Sequence, residues 1–196
     1  MSWLEIAGCV IGVLTIFLAS KQNIVTFFLG LAYNGIFTVF LYLNHLYSSS
    51  ALHGVYCLIN LYGIAKWLGL FGLNGSKKVL SVSRLTNEQI GALVALILIG
   101  GCMWGYCVFQ LSGIYPSVFA SPRYPLLDAC VTMSCITAQF LLTHKKIETW
   151  WAWIIIDIVK VGIYFSIGTY MTGVLHIIYI GIAINAIREW KLKIEN

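Results

Sequence analysis

Apolar residues run along this chain in seven long blocks separated by polar breaks. The blocks cover 4–20, 24–43, 51–71, 90–112, 124–143, 149–168 and 171–190. Each is close to the roughly 20 residues a helix needs to cross the hydrocarbon layer of a bilayer. Most breaks are short, such as "SKQN" at 20–23, "NHLYSSS" at 44–50 and "THKK" at 143–146, and one longer loop runs from 72 to 89. The pattern predicts an all-α integral membrane protein of seven transmembrane helices. The opening "MSWLEIAGCV" has no basic stretch and carries Glu5, so it reads as the first span rather than a cleaved leader.

The blocks repeat. "LHGVY" at 52–56 and "LHIIY" at 175–179 set His53 and His176 apart by 123 residues. That offset aligns 4–67 with 127–190 without a gap, and twelve of the 64 positions match, including Phe17/Phe140, Thr26/Thr149, Tyr56/Tyr179 and Trp67/Trp190. Chance in so apolar a chain gives roughly five. The expected organisation is one domain over 1–196: a first three-helix repeat at 4–71, a linker helix at 90–112, and a second three-helix repeat at 124–190. A triplet has an odd number of spans, so the linker span restores the direction and the 3+1+3 repeat is parallel. Such repeats belong to transporters that hold their solute between the halves near the midplane. Gly101 and Gly105 give the linker a packing surface with GxxxG spacing.

Charge sets the orientation. Lys21, Lys66, Lys77, Lys78, Arg84, Lys145, Lys146, Arg188, Lys191 and Lys193 follow the odd-numbered spans or close them, and only Arg123 lies on the other side. The bias places the N-terminus outside and the C-terminus in the cytoplasm. Composition agrees: 60% hydrophobic and 10% charged residues, with mean hydropathy +0.87, leave too little polar surface for a water-soluble domain. The net charge of +5 is spent on loops, which argues against nucleic-acid binding. Six cysteines lie in apolar runs without Cys-x-x-Cys spacing, and "GLNGSK" lacks P-loop spacing. Neither a metal, another cofactor nor a catalytic motif is expected, so a transporter is favoured over a membrane-embedded enzyme or a sensor.

Polar residues at helical spacing mark the faces turned away from lipid, since a polar group facing hydrocarbon costs several kcal/mol. The sixth block aligns Trp150, Trp153, Asp157, Lys160 and Tyr164 on one face. The third supplies His53, Tyr56, Asn60, Gly63 and Trp67, and the seventh His176, Tyr179 and Trp190. The fifth adds Asp128, Thr132, Cys135 and Gln139, and the second Asn34, the counterpart of Asp157. The candidate substrate-binding set is Trp150, Trp153, Asp157, Asn34, His53, Tyr56, Asn60, Gln139, His176 and Tyr179. Aromatic faces attract delocalised cations, and the amide and hydroxyl groups can bond hydroxyls. A small aromatic cation with a polar appendage fits. Plainer roles compete: Trp67 and Trp190 as interfacial anchors, Asp157 and Lys160 as a mutually neutralising pair, and the histidines as interhelical hydrogen-bond partners. Trp151 faces elsewhere. Glu5 and Asp128 suit helix starts.

Three stretches carry a family resemblance. "WLEIAGCVIGVLTIFLAS" at 3–20 with "LYGIAKW" at 61–67 resembles the first triplet of the PnuC family of bacterial vitamin-precursor transporters. "LLDACVTMSCITAQFLLTHKKIETWWAW" at 126–153 resembles that family's fifth and sixth helices, including a W-x-x-W motif at Trp150 and Trp153. "REWK" at 188–191 resembles its C-terminal end. The resemblance implies a multi-pass protein of the bacterial inner membrane that takes up nicotinamide riboside by facilitated diffusion, with cytoplasmic phosphorylation trapping the product. It also implies a homotrimer, and admits thiamine or riboflavin as substrate. The chain departs from the family pattern at His53, where many nicotinamide riboside members have Gln, and at Ile64, which follows Tyr62 and Gly63 in place of Trp.

Overall fold

The computed structural model describes residues 3–43, 47–70, 80–115 and 125–195, with backbone alone at 3–8, 41, 47–49 and 125. Among these are seven helices: α1 (Trp3–Ser20), α2 (Val25–Leu43), α3 (Tyr47–Trp67), α4 (Asn87–Ile114), α5 (Pro125–Thr143), α6 (Glu148–Ser166) and α7 (Tyr170–Glu195). They follow the seven apolar blocks in order, and the differences are at the ends. α4 starts three residues early because Thr86 and Gln89 cap it reciprocally: Gln89 N–H donates to Thr86 Oγ1 at 3.3 Å, and Thr86 N–H to Gln89 Oε1 at 3.1 Å. α3 begins inside the polar break, where Ser50 Oγ donates to the Thr38 carbonyl of α2 at 2.8 Å. It ends at Trp67 rather than 71, because Gly69 adopts φ 71° and closes a Schellman turn, with Gly69 N–H to Lys66 O and Leu70 N–H to Ala65 O. α7 runs on to Glu195, which pairs with Lys191 one turn earlier.

Asn87–Ile114, Leu126–Thr143, Glu148–Ser166 and Tyr170–Glu195 are long and apolar enough to cross a membrane. Cys9–Ser20 and Val25–Phe40 are apolar but shorter over the described side chains. α3 falls outside this group; it carries Ser50, His53, Tyr56 and Asn60 toward its neighbours. The outward faces are apolar, with Ile36, Phe40, Leu98, Ile99 and Ile155 among the exposed side chains.

Contacts recur at the 123-residue offset. Thr26 Oγ1 donates to Thr15 O at 2.9 Å, and Thr149 Oγ1 to Ala138 O at 2.8 Å, tying α2 to α1 and α6 to α5. Phe27 meets Trp67 edge-on at 4.9 Å, and Trp150 meets Trp190 edge-on at 5.4 Å. The turns after α1 and α5 both hold a non-glycine residue in the left-handed region, Gln22 (φ 56°) and Lys145 (φ 49°). A matched pair of indole bonds crosses between the triplets: Trp67 Nε1 donates to Thr143 O at 3.2 Å, and Trp190 Nε1 to Ser20 O at 2.8 Å. Trp190 is 0% exposed, so it is a core residue and not the interfacial anchor expected. An indole that donates to a helix-end carbonyl satisfies a group the helix itself cannot.

The core around these rings joins Ala19, Phe27, Ile147, Trp150, Ala183, Ala186 and Trp190. The end of the long loop docks on it. Val82 is buried there, Ser83 N–H donates to Lys145 O, and Ile147 N–H donates to Ser83 O, each at 3.1 Å. α4 lies on α5 through its glycines, as the GxxxG spacing predicts. Gly101 and Gly105 are buried, and a Cβ at Gly101 would stand 2.7 Å from Cys130 Sγ.

Candidate substrate-binding site

The repeated histidines are each held from the preceding helix. His53 Nδ1 donates to Asn34 Oδ1 at 2.8 Å, and His176 Nδ1 donates to Asp157 Oδ1 at 2.7 Å. Asn34 is fixed in turn, since its Nδ2 donates to the Gly30 carbonyl at 2.7 Å. A ring that donates from Nδ1 presents Nε2 on its far side, an acceptor while the ring is neutral. Aromatic rings flank both. Phe37 stacks on His53 at 5.5 Å, and Tyr164 on His176 at 5.3 Å with 13° between planes; Tyr56 and Tyr179 stand edge-on to them.

The two pairs differ in burial and charge. Asp157 is 2% exposed and His176 is buried, whereas Asn34 and His53 are half-buried. Asp157 therefore pairs with the histidine of α7 rather than solely with Lys160 one turn along α6. Lys160 instead reaches Cys135 on α5, with Asp157 and Tyr164 nearby. The neutralising pair expected from sequence becomes a wider cluster, because α5 and α7 bring further partners to the same face.

α3 and α5 meet across the interface. Asn60, 2% exposed, donates from Nδ2 to Tyr56 O at 2.8 Å and accepts from Gln139 Nε2 at 3.1 Å. Tyr56 packs on Cys135. At the counterpart position on α1 stands Gly12, where a Cβ would collide with the Tyr179 hydroxyl. Gly30 leaves room for Asn60 in the same way, a Cβ there falling 2.9 Å from its Oδ1.

Of the ten sequence candidates, Asn34–His53, Asp157–His176 and Asn60–Gln139 are joined as hydrogen-bonded pairs, and Tyr56 and Tyr179 border the histidines. Trp153 packs against both apolar clusters. Trp150 is 1% exposed and lies in the larger cluster against Trp190, where its indole N–H has no partner among the described residues. Trp151 is exposed, on another face as expected. Asp128 sits in the first turn of α5, as a helix-start carboxylate should; the Glu5 side chain lies outside the described residues. Sequence reasoning left out Tyr33 and Cys9, which lie beside Tyr179, Tyr33 also beside Tyr164. Tyr33 adjoins Asn34 in sequence, and a lone tyrosine before a polar residue was the available signal. Cys9 gave none, standing among apolar neighbours.

A family model described as nicotinamide mononucleotide transporter matches residues 2–192. The nicotinamide riboside transporter PnuC of Escherichia coli K12 is 28% identical over 205 residues, spanning 97% of this chain and 85% of that one. The riboflavin/roseoflavin transporter RibM of Streptomyces davaonensis is likewise 28% identical, over 195 residues, with the same coverage of 97% and 85%. A solved structure described as the crystal structure of the vitamin B3 transporter PnuC shares the fold, with TM-score 0.71 at 21% identity, covering 99% of this chain and 83% of that one. The seven-helix arrangement, the membrane-length apolar helices and a family match over nearly the whole length converge: the chain belongs to the nicotinamide mononucleotide transporter family, multi-pass transporters of the inner membrane.

Proposed function

We propose that the chain takes up nicotinamide riboside by facilitated diffusion, binding it where α1–α3 meet α5–α7, with phosphorylation in the cytoplasm trapping the product. The two triplets act as like-oriented halves, with α4 as the linker that restores direction, all seven helices spanning, the N-terminus outside and the C-terminus inside. The activity is transport and not catalysis. The observation that carries this reading is the pair of matched histidines, each fixed by a partner on the preceding helix and flanked by aromatic rings. Such a frame suits a flat pyridinium cation: ring faces attract delocalised charge, the Asp157 carboxylate adds to it, and Asn60 and Gln139 offer bonds to ribose hydroxyls. Trp153 completes the aromatic wall, with Trp150 packed in the core behind it. Because Asn60, Asp157 and His176 are buried, the site is shut in this conformation, and loading requires the halves to rock apart.

A second reading rests on the riboflavin/roseoflavin relative, which is as similar as the nicotinamide riboside one. Riboflavin is flat but neutral and larger; thiamine, another aromatic cation, is the closer competitor chemically. The test is uptake of labelled nicotinamide riboside into proteoliposomes without ATP or an ion gradient, run beside binding titrations with thiamine and riboflavin. Saturable uptake that stops at equal concentrations supports facilitated diffusion. Accumulation only with an imposed gradient, or preference for either competitor, refutes the mechanism or the substrate respectively.

A further inference from the structure

We propose that the seam between α1 and α7 is a binding site for an anionic phospholipid. The argument begins with a broken symmetry. Each triplet offers the other one seam, α1 against α7 and α3 against α5, but there is a single α4, and it lies on α5. There Gly100 lies so close to Met133 that a Cβ would stand 2.8 Å from its Cε. The residue at Met133's counterpart position is Val10, and it is 61% exposed. Leu14, Phe17 and Ile178 beside it are exposed too, and together they line an apolar groove of about 480 Å³.

The groove leads past Phe17 into a second cavity of about 300 Å³ at the ends of the same two helices, where Ile182 is joined by the polar groups of Ser20, Lys21, Asn185, Arg188 and Glu189. Lys21 is ion-paired with Glu189, while Arg188 has no partner among the described residues, so the cavity keeps one unneutralised cation. At the other seam the equivalent cavity is filled from within. Tyr62, counterpart of Asn185, stacks on Phe140 at 5.9 Å, accepts from Lys66 Nζ at 3.0 Å and meets His144 Nε2 at 3.3 Å.

An apolar channel ending in a guanidinium and an amide has the polarity of one molecule. An acyl chain fits the groove, and a phosphate headgroup fits Arg188 and Asn185. A free phosphate would use the head but not the groove; a second copy of the chain would use the groove but not need the head.

The full chain, purified in mild detergent, is titrated with phosphatidylglycerol and with phosphatidylcholine and read by native mass spectrometry. Phosphatidylglycerol is retained in preference, Arg188→Gln weakens its retention by about fivefold, and Val10→Trp, which fills the groove at an exposed position, displaces it. Millimolar inorganic phosphate does not compete. Equal retention of both lipids, displacement by phosphate alone, or a Val10→Trp variant that loses oligomeric mass while keeping its lipid overturns the proposal. None of these outcomes depends on which vitamin is carried.

Discussion

Asn34–His53 and Asp157–His176 occupy matching places, 123 residues apart, with hydrogen bonds of 2.8 and 2.7 Å. The geometry is common to both, yet one pair is a half-buried amide and imidazole and the other a buried carboxylate and imidazole. Positions 123 residues apart thus hold alike hydrogen bonds while leaving their charge free to diverge. In the proposed binding mode, one wall of the site is electrostatically active and the other only orients. The same divergence shows at the helix ends, where Lys21 with Glu189 faces one seam and Tyr62 with His144 and Lys66 the other.

The largest contrast is expected from truncation. Asp157→Ala leaves a buried histidine without its acceptor and destabilises the fold by about 3 kcal/mol. Asn34→Ala, at a half-buried neutral pair, costs about 1 kcal/mol. Chemical denaturation in detergent gives both numbers, and equal losses would mean that burial and charge do not distinguish the two halves.

Next comes the charge alone. Asp157→Asn keeps an acceptor for His176 Nδ1 but removes the carboxylate, and weakens nicotinamide riboside binding by about tenfold, or ~1.4 kcal/mol, the scale of a charge-assisted contact. Asn34→Asp does not weaken it. A titration in which the two swaps behave alike would remove the electrostatic difference between the walls.

Packing offers a third contrast. Gly63 stands where the second triplet has Ala186, and a Cβ there would lie 2.6 Å from the Phe27 ring. Gly63→Ala therefore costs about 1–3 kcal/mol through overpacking, while Ala186→Gly opens a small gap and costs about 1 kcal/mol through lost burial and backbone entropy. Thermal unfolding of the two variants measures the difference.

Smaller still is the turn pair. Gln22→Gly relieves a left-handed residue and stabilises by about 1 kcal/mol. Lys145→Gly stabilises less, because the Lys145 ammonium lies 4.5 Å over the Trp67 ring and that contact is lost.

The smallest effect is a pH dependence at one seam. Burial, followed by the Lys66 and Lys146 cations, holds the His144 imidazole below the usual histidine range, although its bond to Phe140 O acts in the opposite sense. A depressed folded value means that stability is present above about pH 6.5, the unfolded value, and declines as pH falls below it. Protonation also ends acceptance from the Tyr62 hydroxyl. The His144→Gln variant should lose this slope, and a mild-acid unfolding series that leaves it unchanged would assign the slope elsewhere.

Much of this was legible along the chain. Helix number and order follow from apolar block length, since every backbone group in hydrocarbon must be bonded within its own helix. The offset of 123 was readable because the matched histidines and tryptophans stand out against an apolar background. The pairing of residues was less legible. Asp157 has Lys160 one turn away and His176 nineteen residues away, and sequence distance favours the first, while the packing of α6 on α7 brings the second to 2.7 Å. Trp190 read as an interfacial anchor because it sits near a helix end, yet the approach of α7 to α1 buries it against Ser20.

What the residues alone established is therefore the medium, the helices and the faces turned inward, all consequences of local periodicity and the cost of polar groups in lipid. Which inward groups bond each other, which tryptophan is core, and which seam stays open were settled only by helix packing. Those outcomes depend on small residues at close approaches, Gly12, Gly30, Gly63 and Gly101, whose partners lie on other helices and leave no trace in the neighbouring sequence.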